Sequence, residues 1–167
     1  MNDNYSFDLS QYELINRIGS GQYGEVYKAK EKKTGETVAV KISFSSLEDE
    51  EDEKDSESVL NLVREVNIMS ELNHPSIVKF IGYSPIDFHG DQRPVIVTEF
   101  MSKESLTKLI ELEQNNVSDP NWTPTKKLIN LYGIASAMAY LHANNIIHRD
   151  LKPDNILMDD NLNPKIA

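Results

Sequence analysis

The 167-residue sequence contains no cysteine, which excludes disulfide frameworks, thiolate zinc sites and cysteine nucleophiles together. It has no apolar run near the roughly 20 residues that span a bilayer. Its opening MNDNYSFDLS has neither the basic start nor the apolar centre of a secretory leader. The chain therefore reads as cytoplasmic, without a membrane partner, and the Asn-x-Ser/Thr triplets at Asn4, Asn116 and Asn121 read as coincidence. Basic residues are scarce as well: 17 Lys and Arg stand against 27 Asp and Glu, for a formal charge of -10. No basic stripe offsets this, so nucleic acid is not an expected partner.

Most of the negative charge is local. Residues 48–57, EDEEDEKDSE, hold eight carboxylates and one lysine, and so supply -7 of the total. Such a run reads as a solvated connector rather than a docking site for a basic partner. With 39% hydrophobic and 26% charged residues, the remainder has the composition of a globular protein. The length suits one domain or two small lobes.

Residues 12–44 read as three strands, YELINRIGSG, GEVYKAKEK and ETVAVKISF, separated by Gly19 to Gly24 and by Lys33-Thr34-Gly35. After the connector at 45–57, Val59, Leu62, Val63, Val66 and Met69 recur at helical spacing, which predicts a helix near 57–71. Asn73-His74-Pro75 ends it, because the residue before proline avoids the α region. IVKFIGYS and RPVIVTEF predict two further strands, and Ser102 to Asn115 a short helix. Thr123-Pro124 is a good N-cap and first-turn pair for a longer helix. Its buried stripe is expected to be Leu128, Leu131, Ile134, Ala135, Met138 and Leu141, and its end to fall near His142.

Several segments carry chemistry. Gly19-Ser20-Gly21-Gln22-Tyr23-Gly24-Glu25-Val26 is a turn whose glycines let backbone N–H groups approach phosphate oxygens. A plain hairpin turn would use the same residues. A dinucleotide fingerprint needs a helix next, whereas VYKAKEK reads as a strand, and a Walker loop needs Lys-Ser/Thr where Glu25-Val26 stand. Lys41 ends the apolar Val38-Ala39-Val40, where a cation is costly to bury unless an anion meets it. A solvent-facing lysine on an edge strand is the plainer alternative. Glu65 flanks the apolar helix face beside Val66 and could turn inward to Lys41, or equally stay in water.

The most specific string is His148-Arg149-Asp150-Leu151-Lys152-Pro153-Asp154-Asn155. It resembles the catalytic loop of eukaryotic protein kinases, and the glycine turn, VAVK and the glutamate helix precede it in the family's order. The resemblance covers roughly residues 12–167. It implies an α+β, protein kinase-like fold: a small five-stranded antiparallel N-lobe with one helix, then the first helices and catalytic loop of the C-lobe. The implied divisions are an N-terminal extension at 1–11, the N-lobe at 12–101 and a partial C-lobe at 102–167.

The resemblance also implies roles. Lys41, paired with Glu65, would bind the α- and β-phosphates of ATP, and Gly19, Gly21 and Gly24 would cover the phosphates. Asp150 would orient or deprotonate the attacking hydroxyl, Lys152 would steady the γ-phosphate, and Asn155 would hold Mg2+. Ile18, Val26, Ala39 and Leu157 would sandwich adenine, although each would also serve as ordinary core. Thr98 would be the small gatekeeper, and backbone groups at Glu99 and Met101 would bond the adenine edge, in a segment that could equally be a buried strand end. His148 would sit in the core, and Arg149 would meet a phosphorylated activation loop. Lysine two places after Asp150 is similar to serine/threonine kinases. The threonine hinge is more like tyrosine kinases, and the two together resemble the tyrosine-kinase-like group. Expected partners are ATP and protein substrates bearing serine or threonine, with tyrosine as an open alternative. No oligomeric state is implied.

The family's magnesium-binding Asp-Phe-Gly is expected directly after Ala167, and the activation segment and peptide-binding helices after that. Phosphotransfer by this stretch alone is therefore expected to be negligible, and αE, the helix predicted from Thr123, is expected to show apolar surface. The alternative function is a catalytically inactive fragment that binds nucleotide or a partner.

Overall fold

In Thr37–Ser43 the apolar side chains Val38, Val40 and Ile42 alternate with Ala39 and Lys41, the pattern of a strand with two different faces. The structure, a computed structural model, makes this strand the centre of a sheet. It describes residues 7–21, 24–44 and 53–167, without the side chains of 53–61. The Gln22-Tyr23 tip of the glycine turn, the acidic residues 48–52 and the side chain of Val59 lie outside the described residues.

The chain divides into two units, Met1–Leu72 with Lys79–Phe100, and Asn73–Val78 with Met101–Ala167. The first contains β1 (Tyr12–Gly21), β2 (Gly24–Glu31), β3 (Thr37–Ser43), α1 (Glu53–Glu71), β4 (Phe80–Ser84) and β5 (Val95–Glu99). The five strands form one antiparallel sheet in the order β1-β2-β3-β5-β4. Ala29, Val38, Val40, Ile42, Val95 and Val97 bury one face together with Leu9. On the other face Ile96 and Tyr83 meet Leu62 and Val66 of α1.

Several boundaries differ from the sequence expectation; the short helix expected from Ser102 begins at Leu106, and the strand expected over RPVIVTEF shortens to Val95–Glu99. Helix α1 begins at Glu53, inside the acidic run and earlier than the expected start near 57. β4 begins only at Phe80, because Ile77 and Val78 bridge instead to Ile166 in the second unit.

The second unit contains α2 (Leu106–Gln114), α3 (Pro124–Ala143), β6 (Ile156–Met158) and β7 (Pro164–Ile166). Thr123 caps α3 by accepting the Lys126 N–H at 3.2 Å. The helix closes on Asn145, whose φ of 59° is the left-handed stop that asparagine tolerates. Leu109, Trp122, Ile156, Met158 and Leu162 form the core, with Ile134 against it.

The expected buried stripe of α3 is half wrong. Ala137 and Leu141 are buried and Ile134 and Met138 partly so, but Leu128 is 67% and Leu131 64% exposed, and Ala135 is exposed too. The helix carries apolar residues on nearly every side, so spacing does not select a face. What selects it is close contact at Gly133, where a Cβ would come 2.8 Å from Pro164, and the buried Asn130 amide, which donates to the Leu162 carbonyl at 2.9 Å. The face with Leu128, Leu131 and Tyr132 is left outward, the apolar surface expected of this helix.

Candidate active site

Cross-strand partners share a face, so sheet register decides which of the expected residues can act together. Val26 pairs with Lys41, and Lys41 with Ile96; Lys28 pairs with Ala39, and Ala39 with Thr98. Val26, Ala39, Lys41 and Thr98 thus lie on one face of the first unit, the same face that α1 covers at Ile96. Ile18 lies at the bulge between Arg17 and Gly19 and is 46% exposed.

Glu65 does turn inward: its Oε1 accepts a hydrogen bond from the Lys41 Nζ at 2.7 Å. The alternative of a fully solvated glutamate is excluded. A lysine held this way presents a fixed ammonium on the face that also carries Val26, Ala39 and Thr98.

The glycines of the turn have separate reasons. A Cβ on Gly24 would fall 2.2 Å from the Ile42 carbonyl oxygen, so this position is fixed by the close approach of β2 to β3. Among the described residues, a Cβ on Gly21 would meet nothing within 4 Å, and one on Gly19 only the Val26 Cβ at 3.8 Å. Packing among those residues does not demand glycine at either position.

Sequence reasoning missed Lys28. It lies on the face with Ala39 and Thr98, and its ammonium stands 4.4 Å from the centre of the Phe100 ring, a cation–π contact just beyond the end of β5. The alternation of VYKAKEK placed it on the Val26 face, but nothing in the string marked it for Phe100. Glu99 closes the strand end by taking the Lys79 N–H on its carboxylate at 2.7 Å and giving its own N–H to the Lys79 carbonyl at 3.0 Å.

In the second unit the string His148 to Asn155 folds around Asp150. Its Oδ2 accepts from Lys152 Nζ at 2.9 Å and from Asn155 Nδ2 at 2.8 Å, and the same Nδ2 reaches the Asp150 carbonyl at 2.8 Å. The hydrogen bonds from Lys152 and then Asn155 hold the Asp150 carboxyl below the usual aspartate range, and Asp150 in turn raises Lys152. Both groups are open to water. Arg149 adopts φ of 66°, the left-handed region, at the centre of this turn.

His148 is only half-buried, with Nε2 at 3.1 Å from the Ala167 carbonyl, while the Ala167 N–H donates to the Asn155 carbonyl at 2.9 Å. Leu157 is half-buried on β6, between the buried Ile156 and Met158, and Met101 is half-buried at the start of the unit's second segment.

With Asn155 Nδ2 committed to Asp150, the amide presents Oδ1, a hard oxygen of the kind magnesium takes. Among the described residues no group of three or more His, Asp or Glu forms a ready-made metal site. One protein oxygen, with phosphate and water oxygens for the rest, fits the way magnesium is bound beside nucleotides. No helix among the described residues is long and apolar enough to cross a membrane.

Comparison with known proteins supports the same reading. Residues 12–167 match the family described as protein kinase domain. The chain is 38% identical over 158 residues to NUAK family SNF1-like kinase 1 of Homo sapiens, covering 94% of this chain and 22% of that protein. It is 34% identical over 162 residues to the Aurora kinase of Saccharomyces cerevisiae, covering 93% and 38%, and 32% identical over 162 residues to that of Patiria pectinifera, covering 96% and 36%. The chain thus spans roughly a fifth to two fifths of the relatives it matches.

Proposed function

This chain belongs to the protein kinase family, and we propose that it carries the ATP-binding face and catalytic loop of a serine/threonine protein kinase. The observation that supports this most directly is the placement of the Asp150 carboxylate, whose Oδ2 accepts from Lys152 Nζ at 2.9 Å and from Asn155 Nδ2 at 2.8 Å and whose Oδ1 neither of them uses.

The proposed reaction transfers the γ-phosphoryl group of ATP to a serine or threonine hydroxyl of a protein. The hydroxyl oxygen forms a bond to the γ-phosphorus as the bond to the β–γ bridging oxygen breaks, and ADP leaves. The hydroxyl proton passes to Asp150, whose Oδ1 is not used by Lys152 or Asn155. The Lys152 ammonium offsets charge on the γ-phosphoryl oxygens, and the Lys41 ammonium holds the α- and β-phosphates. Val26, Ala39 and Leu157 supply apolar contact for adenine, Thr98 limits the depth of the pocket, and the backbone at Glu99 and Met101 bonds its edge. Magnesium, held through Asn155 Oδ1, would neutralise phosphate charge. Ile18 joins the apolar contacts to adenine, and Gly19, Gly21 and Gly24 cover the phosphates.

Titration calorimetry with ATP and magnesium tests the binding half. Saturable binding by the wild-type chain, weakened at least about tenfold by Lys41→Met, is the expected result. Absence of binding by a folded wild-type chain would refute it. Transfer of labelled γ-phosphate by the whole protein tests the chemistry, and Asp150→Asn should lower its rate by about 100-fold or more. Nucleotide binding without transfer in the wild-type protein would favour a non-catalytic role.

A further inference from the structure

The family match begins at Tyr12, yet the residues before it are built into the first unit. The Phe7 N–H donates to the Tyr83 carbonyl of β4 at 2.8 Å. Its ring lies where a side chain on Gly82 would be, since a Cβ there would come 2.6 Å from Phe7 Cδ2. The same ring stands 4.7 Å from that of Tyr12, centre to centre.

From Phe7 the chain crosses the sheet. Asp8 caps a short 3-10 turn at Leu9–Gln11 by accepting the Ser10 N–H at 3.0 Å. Leu9 is 8% exposed and joins the cluster of Val38, Val40, Ile42, Val95 and Val97. The far end is tied down by Lys32, whose N–H reaches the Gln11 carbonyl at 2.9 Å and whose ammonium reaches the Ser10 carbonyl at 2.8 Å. β4 and β1 are opposite edges of the sheet, so residues 7–11 span it from one edge to the other.

Strand β3 is the element this segment presses on. Its Val38, Val40 and Ile42 turn toward Leu9, and its alternate residues Ala39 and Lys41 turn to the proposed nucleotide face. A shift in how the strap sits is therefore a shift in the strand that positions Lys41 against Glu65.

We propose that residues 7–11 are a positioning strap: by seating Phe7 on Gly82 and Leu9 against Val38, Val40 and Ile42, they hold β3 so that Lys41 meets nucleotide phosphate. The inference rests on the nucleotide-binding reading above. A strap of purely structural value would change the stability of the unit and leave the affinity of the folded protein untouched.

The test uses Phe7→Ala, Leu9→Ala, Gly82→Ala and the volume-conserving Leu9→Met in the full chain, at a temperature where circular dichroism shows each folded. Phe7 is only half-buried, so Phe7→Ala is the variant that serves if the other two truncate the fold. ATP-magnesium affinity by calorimetry is expected to fall about five- to tenfold in the alanine variants, the scale of coupling between residues sharing a core. Leu9→Met should stay near wild type, and in a Lys41→Met background the strap substitutions should have no further effect. Amide exchange across Val38–Ile42 should accelerate in the alanine variants relative to β6. Unchanged affinity in the folded alanine variants overturns the strap, whatever their melting temperatures. If the wild-type chain binds no nucleotide, the nucleotide-binding reading and the strap that rests on it are overturned together, whereas binding by the wild type with unchanged affinity in the alanine variants overturns the strap alone.

Discussion

The Lys41 ammonium stands 2.7 Å from the Glu65 carboxylate, which ties the middle strand of the first unit to helix α1. The two side chains remain 33% and 41% exposed, so water screens the pair and its contribution to stability is small. Lys41→Met is therefore expected to change unfolding free energy by less than about 1 kcal/mol in urea titration while it weakens nucleotide binding at least about tenfold. A large loss of stability would mean that the pair is structural rather than functional.

Asp150 gives a pH prediction. Hydrogen bonds from Lys152 and Asn155 depress its folded pKa. A depressed carboxyl contributes stability above its unfolded pKa of about 3.9 and loses it as pH falls through the lower folded value. Carbon-detected NMR titration should place the Asp150 midpoint below that of an unfolded aspartate, and Lys152→Ala should move it upward. An unmoved midpoint would show that the ammonium does not hold the carboxylate.

Asp87 is buried in the loop between β4 and β5, where the N–H groups of His89 and Asp91 and the Arg93 guanidinium all donate to it. Burial pushes its pKa up, but those donors together outweigh it and leave the carboxyl below its usual range. Arg93→Ala should cost about 1–3 kcal/mol at neutral pH, because the carboxylate keeps its backbone bonds but loses its counter-charge. That cost should shrink as acid protonates Asp87 through its depressed folded pKa, which urea unfolding across pH would show.

Two glycines of one turn should respond oppositely. Gly24→Ala places a methyl against the Ile42 carbonyl and should destabilise the first unit by about 1–3 kcal/mol, whereas Gly21→Ala enters open space and should leave the melting temperature unchanged. If Gly21→Ala nonetheless weakens ATP binding, its glycine serves the ligand and not the fold.

The exposed face of α3 separates solubility from stability. Leu131→Glu should reduce light scattering by the chain with a stability change within about 0.5 kcal/mol, while Leu141→Ala on the buried face should cost about 2–5 kcal/mol.

The Lys41–Glu65 pair could be anticipated from the family resemblance, whereas the periods of strand and helix left Glu65 free to face Lys41 or water. The α3 face could not, because Leu128, Leu131 and Ile134 satisfy the helical spacing as well as Ile134, Ala137 and Leu141 do, and only Gly133 and Asn130 decide between them. Phe7 and Leu9 escaped notice for a different reason: a three-residue 3-10 turn has no period to read. The hydrogen bonds around Asp150 likewise depend on the left-handed turn at Arg149, which no residue type announced, since arginine pays a steric cost there that glycine would not.

The strand order has a consequence for how the first unit is made. β3 meets β2 across a short turn, but its second partner, β5, arrives only after α1 and β4, as the pairing of Val40 with Val97 shows. Closing so long a loop is slow, yet its entropic cost rises only logarithmically, by about 0.6 kcal/mol for each doubling of length. The acidic connector can thus gain or lose several residues with little effect on the depth of the energy minimum. Such changes act on the time the chain needs to find it.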